Sequence, residues 1–135
     1  MIGLRGVHHV AIIVSDYERS KRFYTEVLGA EIVSEVFRPE RQSHKLDLCL
    51  PGGVQIEMFD FSEAPARPTR PEAQGLRHLA LTVDDLDVAL EHVRAKAVEH
   101  EDVRVDPLNG NRFVFFADPD GLPIELVELT DRQSA

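Results

Sequence analysis

Gly75-Leu-Arg-His78-Leu-Ala-Leu-Thr-Val-Asp-Asp85 sets a histidine at the head of an alternating apolar run and two acids at its end. Val7-His-His9-Val-Ala-Ile-Ile-Val-Ser-Asp16 follows the same plan, with His9 and His78 69 positions apart (78 − 9). A second echo lies downstream of each. Gly53-Val-Gln-Ile-Glu57-Met-Phe59 is matched by Gly121-Leu-Pro-Ile-Glu125-Leu-Val127, and the two glutamates are 68 apart (125 − 57). A repeat this long is too large for a solenoid unit, so the chain reads as a half-domain written twice. Each copy opens on His and closes on Glu.

Working outward, each histidine-headed run reads as a strand that stops where a helix begins. Ser15 or Asp16 can cap the first helix, and Asp84 or Asp85 the second. Tyr17, Phe23, Tyr24, Val27 and Leu28 recur at helical spacing, and Gly29 supplies the stop. Leu86, Leu90, Val93 and Ala97 form the stripe of the second helix. Strand-like runs follow at 30–37, 45–50 and 54–60 in the first copy, and at 102–106, 112–117 and 122–129 in the second. Each copy is therefore strand, helix and three strands. Between them, residues 61–75 carry Pro65, Pro68 and Pro71, which suits an extended connector and not a central strand. The expected organisation is one domain over 5–130, with modules at about 5–60 and 76–129. Residues 130–135 read as a frayed tail.

Composition narrows the partners. The chain has 135 residues, enough for one domain with a real core. A net charge of −9 argues against nucleic acid or an anionic membrane surface as partner. There is no basic segment ahead of a long apolar run at the start, and no stretch of membrane-spanning length. A single cysteine suits a reducing compartment, so a cytoplasmic location is expected.

Alternate side chains share a face in a strand. In the four special strands one face is aliphatic: Val10, Ile12 and Val14; Val54, Ile56 and Met58; Leu79, Leu81 and Val83; Ile124 and Leu126. That face should pack on the helices. The opposite face carries His9, Glu57, His78 and Glu125, expected mid-strand. A carboxylate there is costly unless paired or bound to a metal. Two imidazoles and two carboxylates form an N2O2 set for one divalent cation such as Zn, Ni, Co, Mn or Fe(II).

These motifs resemble the vicinal oxygen chelate superfamily, and within it the glyoxalase I branch. The matching stretches are His9-Val-Ala-Ile12, Ser20-Lys-Arg-Phe-Tyr-Thr-Glu-Val-Leu-Gly29, Gln55-Ile-Glu57, Arg77-His-Leu-Ala-Leu-Thr-Val-Asp84 and Asp118-Pro-Asp-Gly-Leu-Pro-Ile-Glu-Leu126. The resemblance covers residues 5 to about 129. It implies an α+β fold of two βαβββ modules whose curved sheets form a cup around a metal. By the same resemblance His9, Glu57, His78 and Glu125 are the ligands, nickel or zinc is the ion, and the protein is a homodimer. It is closer in spacing to small glyoxalase-like bacterial proteins than to the glutathione enzyme, whose carboxylate-gripping arginines have no clear counterpart here.

Such a cation chelates two neighbouring oxygens and lowers the energy of an enolate or ene-diolate. A carboxylate beside it can move a carbon-bound proton. Glu125 is the first choice as base, with Glu57 as partner. The reaction expected is proton transfer α to a carbonyl, of the lactoylglutathione lyase type, on an anionic small molecule. Arg38, Arg41, Lys45, Arg77 and Arg112 are the candidates to hold its anionic group, and Lys45 shares its face with Asp47 and Cys49. His8, His44, His92 and His100 receive no role, His44 because it lies in a loop-like region. Rival readings are an extradiol dioxygenase, a thiol transferase on fosfomycin-like antibiotics, an acyl-CoA epimerase and a metal-free binding protein.

Overall fold

The computed structural model describes residues 1–129; the tail expected at 130–135 lies outside them. The chain divides into two compact units, Met1–Pro65 and Ala66–Ala135, and the division falls inside the proline-rich stretch.

In the first unit β1 (His9–Val14) is followed by α1 (Tyr17–Arg22), which runs on into a π-helical turn at Phe23–Val27. Then come β2 (Glu31–Arg38), a 3-10 turn (Pro39–Arg41), β3 (Ser43–Cys49) and β4 (Gln55–Asp60). The sheet order is β1-β4-β3-β2, with β1 parallel to β4 and the other pairs antiparallel. The second unit repeats the plan. It runs β5 (Leu79–Val83), α2 (Leu86–Ala95), β6 (Arg104–Val105), β7 (Arg112–Ala117) and β8 (Pro123–Glu128), in the order β5-β8-β7-β6. Both units are thus βαβββ, and the parallel pair β5–β8 answers β1–β4.

Alternation in sequence becomes alternation in burial. Leu46, Leu48, Ile56 and Met58 are fully buried in the first sheet, as are Val114 and Ile124 in the second. Burying one such aliphatic side chain stabilises the fold by about 1.5–3 kcal/mol. Asp16 accepts from the Arg19 N–H at 3.1 Å, and Asp85 accepts from those of Asp87 and Val88 at 3.0 and 3.1 Å, so these are the caps. Gly29 stops the first helix with φ of +75°, a conformation open to glycine.

Several boundaries differ from expectation. β1 and β5 begin two and three residues late because His9 and Leu79 are the first residues with ladder partners; Val7 and Leu76 are exposed. Ala97 belongs to no helical stripe: α2 ends at Ala95, and Ala97 is an exposed turn residue with φ of +60°. The run at 102–106 shrinks to Arg104–Val105. His44 is in β3, where it faces Phe37 across the ladder, and not in a loop.

Each helix is tied to its sheet by a different polar network. In the first unit the His44 ring stacks on Tyr17 at 4.0 Å and contacts Asp60 at 3.0 Å, while Tyr17 and Lys21 both donate to Glu35. Burial alone would raise the Asp60 carboxyl, but the bonds from the His44 ring and backbone outweigh it and hold it below the usual range. In the second unit Arg112 bridges Glu128 at 2.8 Å and Asp87 at 3.3 Å, and Glu128 also accepts from the Leu86 N–H at 2.8 Å. These bonds lower Glu128 to about 2, Arg112 contributing most.

Candidate metal-binding and substrate site

The unit 1 sheet face opposite Ile56 and Met58 carries the predicted pair. Ala11, Glu57, Asp47 and Ser34 are successive cross-strand partners in one row, and His9, Gln55 and Cys49 form the row beside it. His9 Nδ1 lies 3.1 Å from Glu57 Oε2 and also 2.8 Å from His8 Nδ1. In unit 2 His78 Nε2 lies 3.4 Å from Glu125 Oε1. Both glutamate side chains are 17% exposed, and the histidines are 36% and 25% exposed. The expected mid-strand setting of the histidines is corrected: His9 opens β1 and His78 stands one residue ahead of β5, where the ladder with β8 starts at Leu79.

These separations can be set against the demands of an ion. Donors about 2.1 Å from one metal lie about 3.0 Å apart along an octahedral edge and about 3.4 Å along a tetrahedral one. Each pair therefore has the spacing of two neighbouring donors on one cation, and an imidazole with a carboxylate suits a borderline divalent metal. Among the described residues no group of three or more His, Cys, Asp or Glu side chains comes together to hold a metal. Each unit offers one nitrogen and one oxygen.

The predicted anion grips are placed unequally. Lys45 Nζ lies 3.7 Å from Glu57 and 3.6 Å from Asp47, on the face of the His9 pair. Arg38 lays its guanidinium over the Phe59 ring at 5.0 Å, with Nε and Nη2 buried and unpartnered. Arg77 is bound to Glu72 at 2.6 Å and sits 3.2 Å from His78 Nδ1. Arg41 is exposed at the end of the 3-10 turn that joins β2 to β3. Arg112 uses its donors on Glu128 and Asp87 at the start of α2, so its charge is consumed in holding a helix. Sequence reasoning passed over Arg104, whose guanidinium lies over Phe113 at 5.1 Å and Phe115 at 5.7 Å. Its strand has only two residues, too few for alternation to single it out.

A βαβββ pair with a His–Glu couple on each sheet is the frame on which the comparisons fall. Residues 6–126 match the model of the glyoxalase/bleomycin resistance protein/dioxygenase superfamily, and the chain belongs to that family. It is 55% identical to the uncharacterized protein YwkD of Bacillus subtilis, over 93% of this chain and 98% of that one. The uncharacterized protein YaeR of Escherichia coli is also 55% identical, over 95% and 99%. The crystal structure of a glyoxalase family protein from Enterococcus faecalis superposes with a TM-score of 0.85 at 45% identity, covering 92% of this chain and 98% of that one. Two relatives bear names of activities. A 2-epi-5-epi-valiolone epimerase of Actinomyces sp is 32% identical over 94% of this chain and 81% of its own, and the lactoylglutathione lyase of Salmonella typhimurium is 31% identical over 91% and 92%. Members of the superfamily are commonly metal-dependent enzymes. A glutamate-to-glutamine mutant of the fosfomycin resistance protein FosX of Listeria monocytogenes, alike in fold at 23% identity and a TM-score of 0.75 over 99% of this chain and 98% of that one, has been crystallised with Mn(II). Among the described residues no helix is long and apolar enough to cross a membrane.

Proposed function

We propose that His9, Glu57, His78 and Glu125 together hold one divalent cation, nickel or zinc, and that the chain is a glyoxalase I-like lyase or isomerase. The observation that carries this is the twofold occurrence of a His–Glu approach, at 3.1 and 3.4 Å, on the corresponding edge pair of both sheets. Four donors on one ion require a pair from each unit, supplied by one chain or by two chains in a homodimer. The cation, when bound, supplies positive charge to the two adjacent oxygens of a substrate.

The chain's own residues supply the proton path. For a hemithioacetal of a 2-oxoaldehyde, Glu125 takes the proton from the carbon bearing sulfur, and the electron pair moves toward the neighbouring carbonyl carbon. Protonated Glu125 then delivers that proton to the neighbouring carbon. The hydroxyl proton passes to the other oxygen, giving a 2-hydroxy thioester with no oxidant or reductant consumed. Glu57 occupies the equivalent place in the other module and is the partner carboxylate. Arg38 and Lys45, with free or loosely paired donors beside this face, are the grips for an anionic arm. Arg77 is a third, while the salt bridges of Arg112 argue for a structural duty there.

An epimerase is the second reading, favoured by the 32% identical relative of that name. It uses the same α-proton abstraction, with the proton returned to the same carbon on the opposite side.

Metal-stripped protein reconstituted with nickel, zinc, cobalt or manganese should form thioester from methylglyoxal and glutathione. If it forms none but exchanges the α-hydrogen of a thioester or ketone with deuterium from solvent, the epimerase reading takes over. Failure of every metal to bind would sink both.

A further inference from the structure

Unit 2 contains an open cavity of about 870 Å³ that the proton chemistry does not use. Its lining includes Arg67, Arg70 and Arg77 from the connector and its end, together with Arg104 and Phe115. The connector is built into place. Thr69 Oγ1 donates to the Gly121 carbonyl at 3.0 Å, and Arg67 Nη2 donates to the carbonyls of Leu76 and Arg77 at 2.6 and 3.0 Å. Arg67 Nε is buried with no partner. Four guanidinium groups thus line one space in a chain of net charge −9.

The four are not equivalent. Arg67 is latched to backbone, and Arg77 is held by Glu72. Arg104 lies on two phenyl faces, and Glu101, in its salt bridge, is 3.8 Å away, too long for a hydrogen bond. A guanidinium held beside aromatic rings keeps its N–H fork available for a carboxylate or phosphate. Phe115, which supports that fork, packs edge-on against the His78 ring at 5.1 Å. One phenyl ring therefore joins the arginine cavity to the His78–Glu125 pair. The volume is within the range of cavities that enclose small molecules, about 300–1,000 Å³.

We infer that this cavity receives a second oxyanionic group, carboxylate or phosphate, of the molecule handled at His78 and Glu125, apart from the arm assigned to Arg38 and Lys45, with Arg104 and Arg70 as its grips. The assignment to a substrate rests on the function proposed above; the capture of an oxyanion does not. Four acids, Glu72, Glu99, Glu101 and Asp120, line the same cavity and balance its four arginines. An incoming oxyanion displaces Glu101 from Arg104, so removing that acid should tighten binding.

The test is calorimetric titration of the full chain with inorganic phosphate and, separately, with succinate, at fixed ionic strength. Saturable binding of one or both is expected, and which anion binds more tightly identifies the group. Arg104→Gln and Arg70→Gln should weaken it about fivefold or more, since each loses a charge-assisted contact. Glu101→Gln should strengthen it, and Arg22→Gln, on the exposed end of α1, should leave it unchanged. Absence of saturable binding, or equal affinity in Arg104→Gln and Arg22→Gln, overturns the inference. Nickel titration of the same proteins separates the two ideas. Nickel bound without a specific anion site leaves the function proposed above standing, whereas anion captured with no nickel uptake leaves only the cavity.

Discussion

The two units solve one topology with different peripheral devices. In both, a strand headed by or following a histidine pairs in parallel with the last strand of the unit, which bears a glutamate. Around that shared row almost everything else differs. α1 is pinned through Tyr17, Lys21, His44, Asp60 and Glu35, an aromatic stack with ion pairs. α2 is pinned through one arginine between two carboxylates. The outer strand β2 has eight residues, whereas its counterpart β6 has two. Devices that hold a helix to a sheet differ between the units, whereas the His–Glu pair recurs in both.

The sharpest way to break that comparison is to remove one carboxylate at a time. Glu125→Gln should lower kcat with reconstituted metal by about 100- to 10,000-fold, the span of acid–base catalysis. Glu57→Gln should lower metal affinity as much as Glu125→Gln but keep more turnover. Equal kcat losses would make the two carboxylates chemically equivalent and remove the assignment of Glu125 as base. Metal titration followed by steady-state assay reads both quantities.

Next in size come the matched core positions. Ile56 and Ile124 each precede the site glutamate and are each fully buried. Replacement by Ala should cost about 2–5 kcal/mol at either place, the usual range for a large aliphatic. Denaturant unfolding checks this, and a large disparity would mean that the two sheets are packed to different tolerances.

Acid titration probes the helix anchors. Glu128 falls from an ordinary 4.5 to about 2 in the folded chain, through Arg112 first and the Leu86 N–H second. A depressed carboxyl contributes stability that is complete above its unfolded value and is lost as pH drops from about 4.5 toward 2. Thermal melting between pH 6 and pH 2 (about that window) should show this loss, and Arg112→Gln should flatten it. Asp60, also lowered, adds acid lability in the other unit through its bonds to His44, so His44→Gln should remove that share of the loss.

The smallest effects belong to the helix caps. Asp85 serves two N–H groups and Asp16 one. Asp85→Ala should cost about 1 kcal/mol or more, and Asp16→Ala less.

Most of this architecture was legible because the repeat writes it twice. Alternation put Ile12, Val14, Ile56, Met58, Ile124 and Leu126 inside and left His9, Glu57 and Glu125 on the other face. What escaped depended on long-range partners. His44 looked like loop because its strand begins with polar residues, yet its even parity with Leu46 and Leu48 sets it on the helix side, against Tyr17. Arg112 resembled an anion grip until Glu128, sixteen residues away, was seen to hold it. Arg104 sits on a strand of two residues, too short to carry a periodic signal, and acquires its meaning from the phenyl rings of a neighbouring strand. The π turn at Phe23–Val27 leaves no mark in helical spacing, which fits Tyr24 and Val27 equally well in an α-helix.

The parallel pairing of first and last strands also sets a schedule for folding. β2–β3 and β3–β4, like β7–β8, are hairpin neighbours that can form from nearby chain, but His9 meets its row only when residue 9 finds residue 55, and Leu79 only when it finds Ile124. Closing those long loops carries the larger entropic barrier. Both His–Glu couples therefore assemble late, and on the metal site proposed above an ion offered during refolding would be captured only after the final strand has docked, making its uptake a clock for the last step.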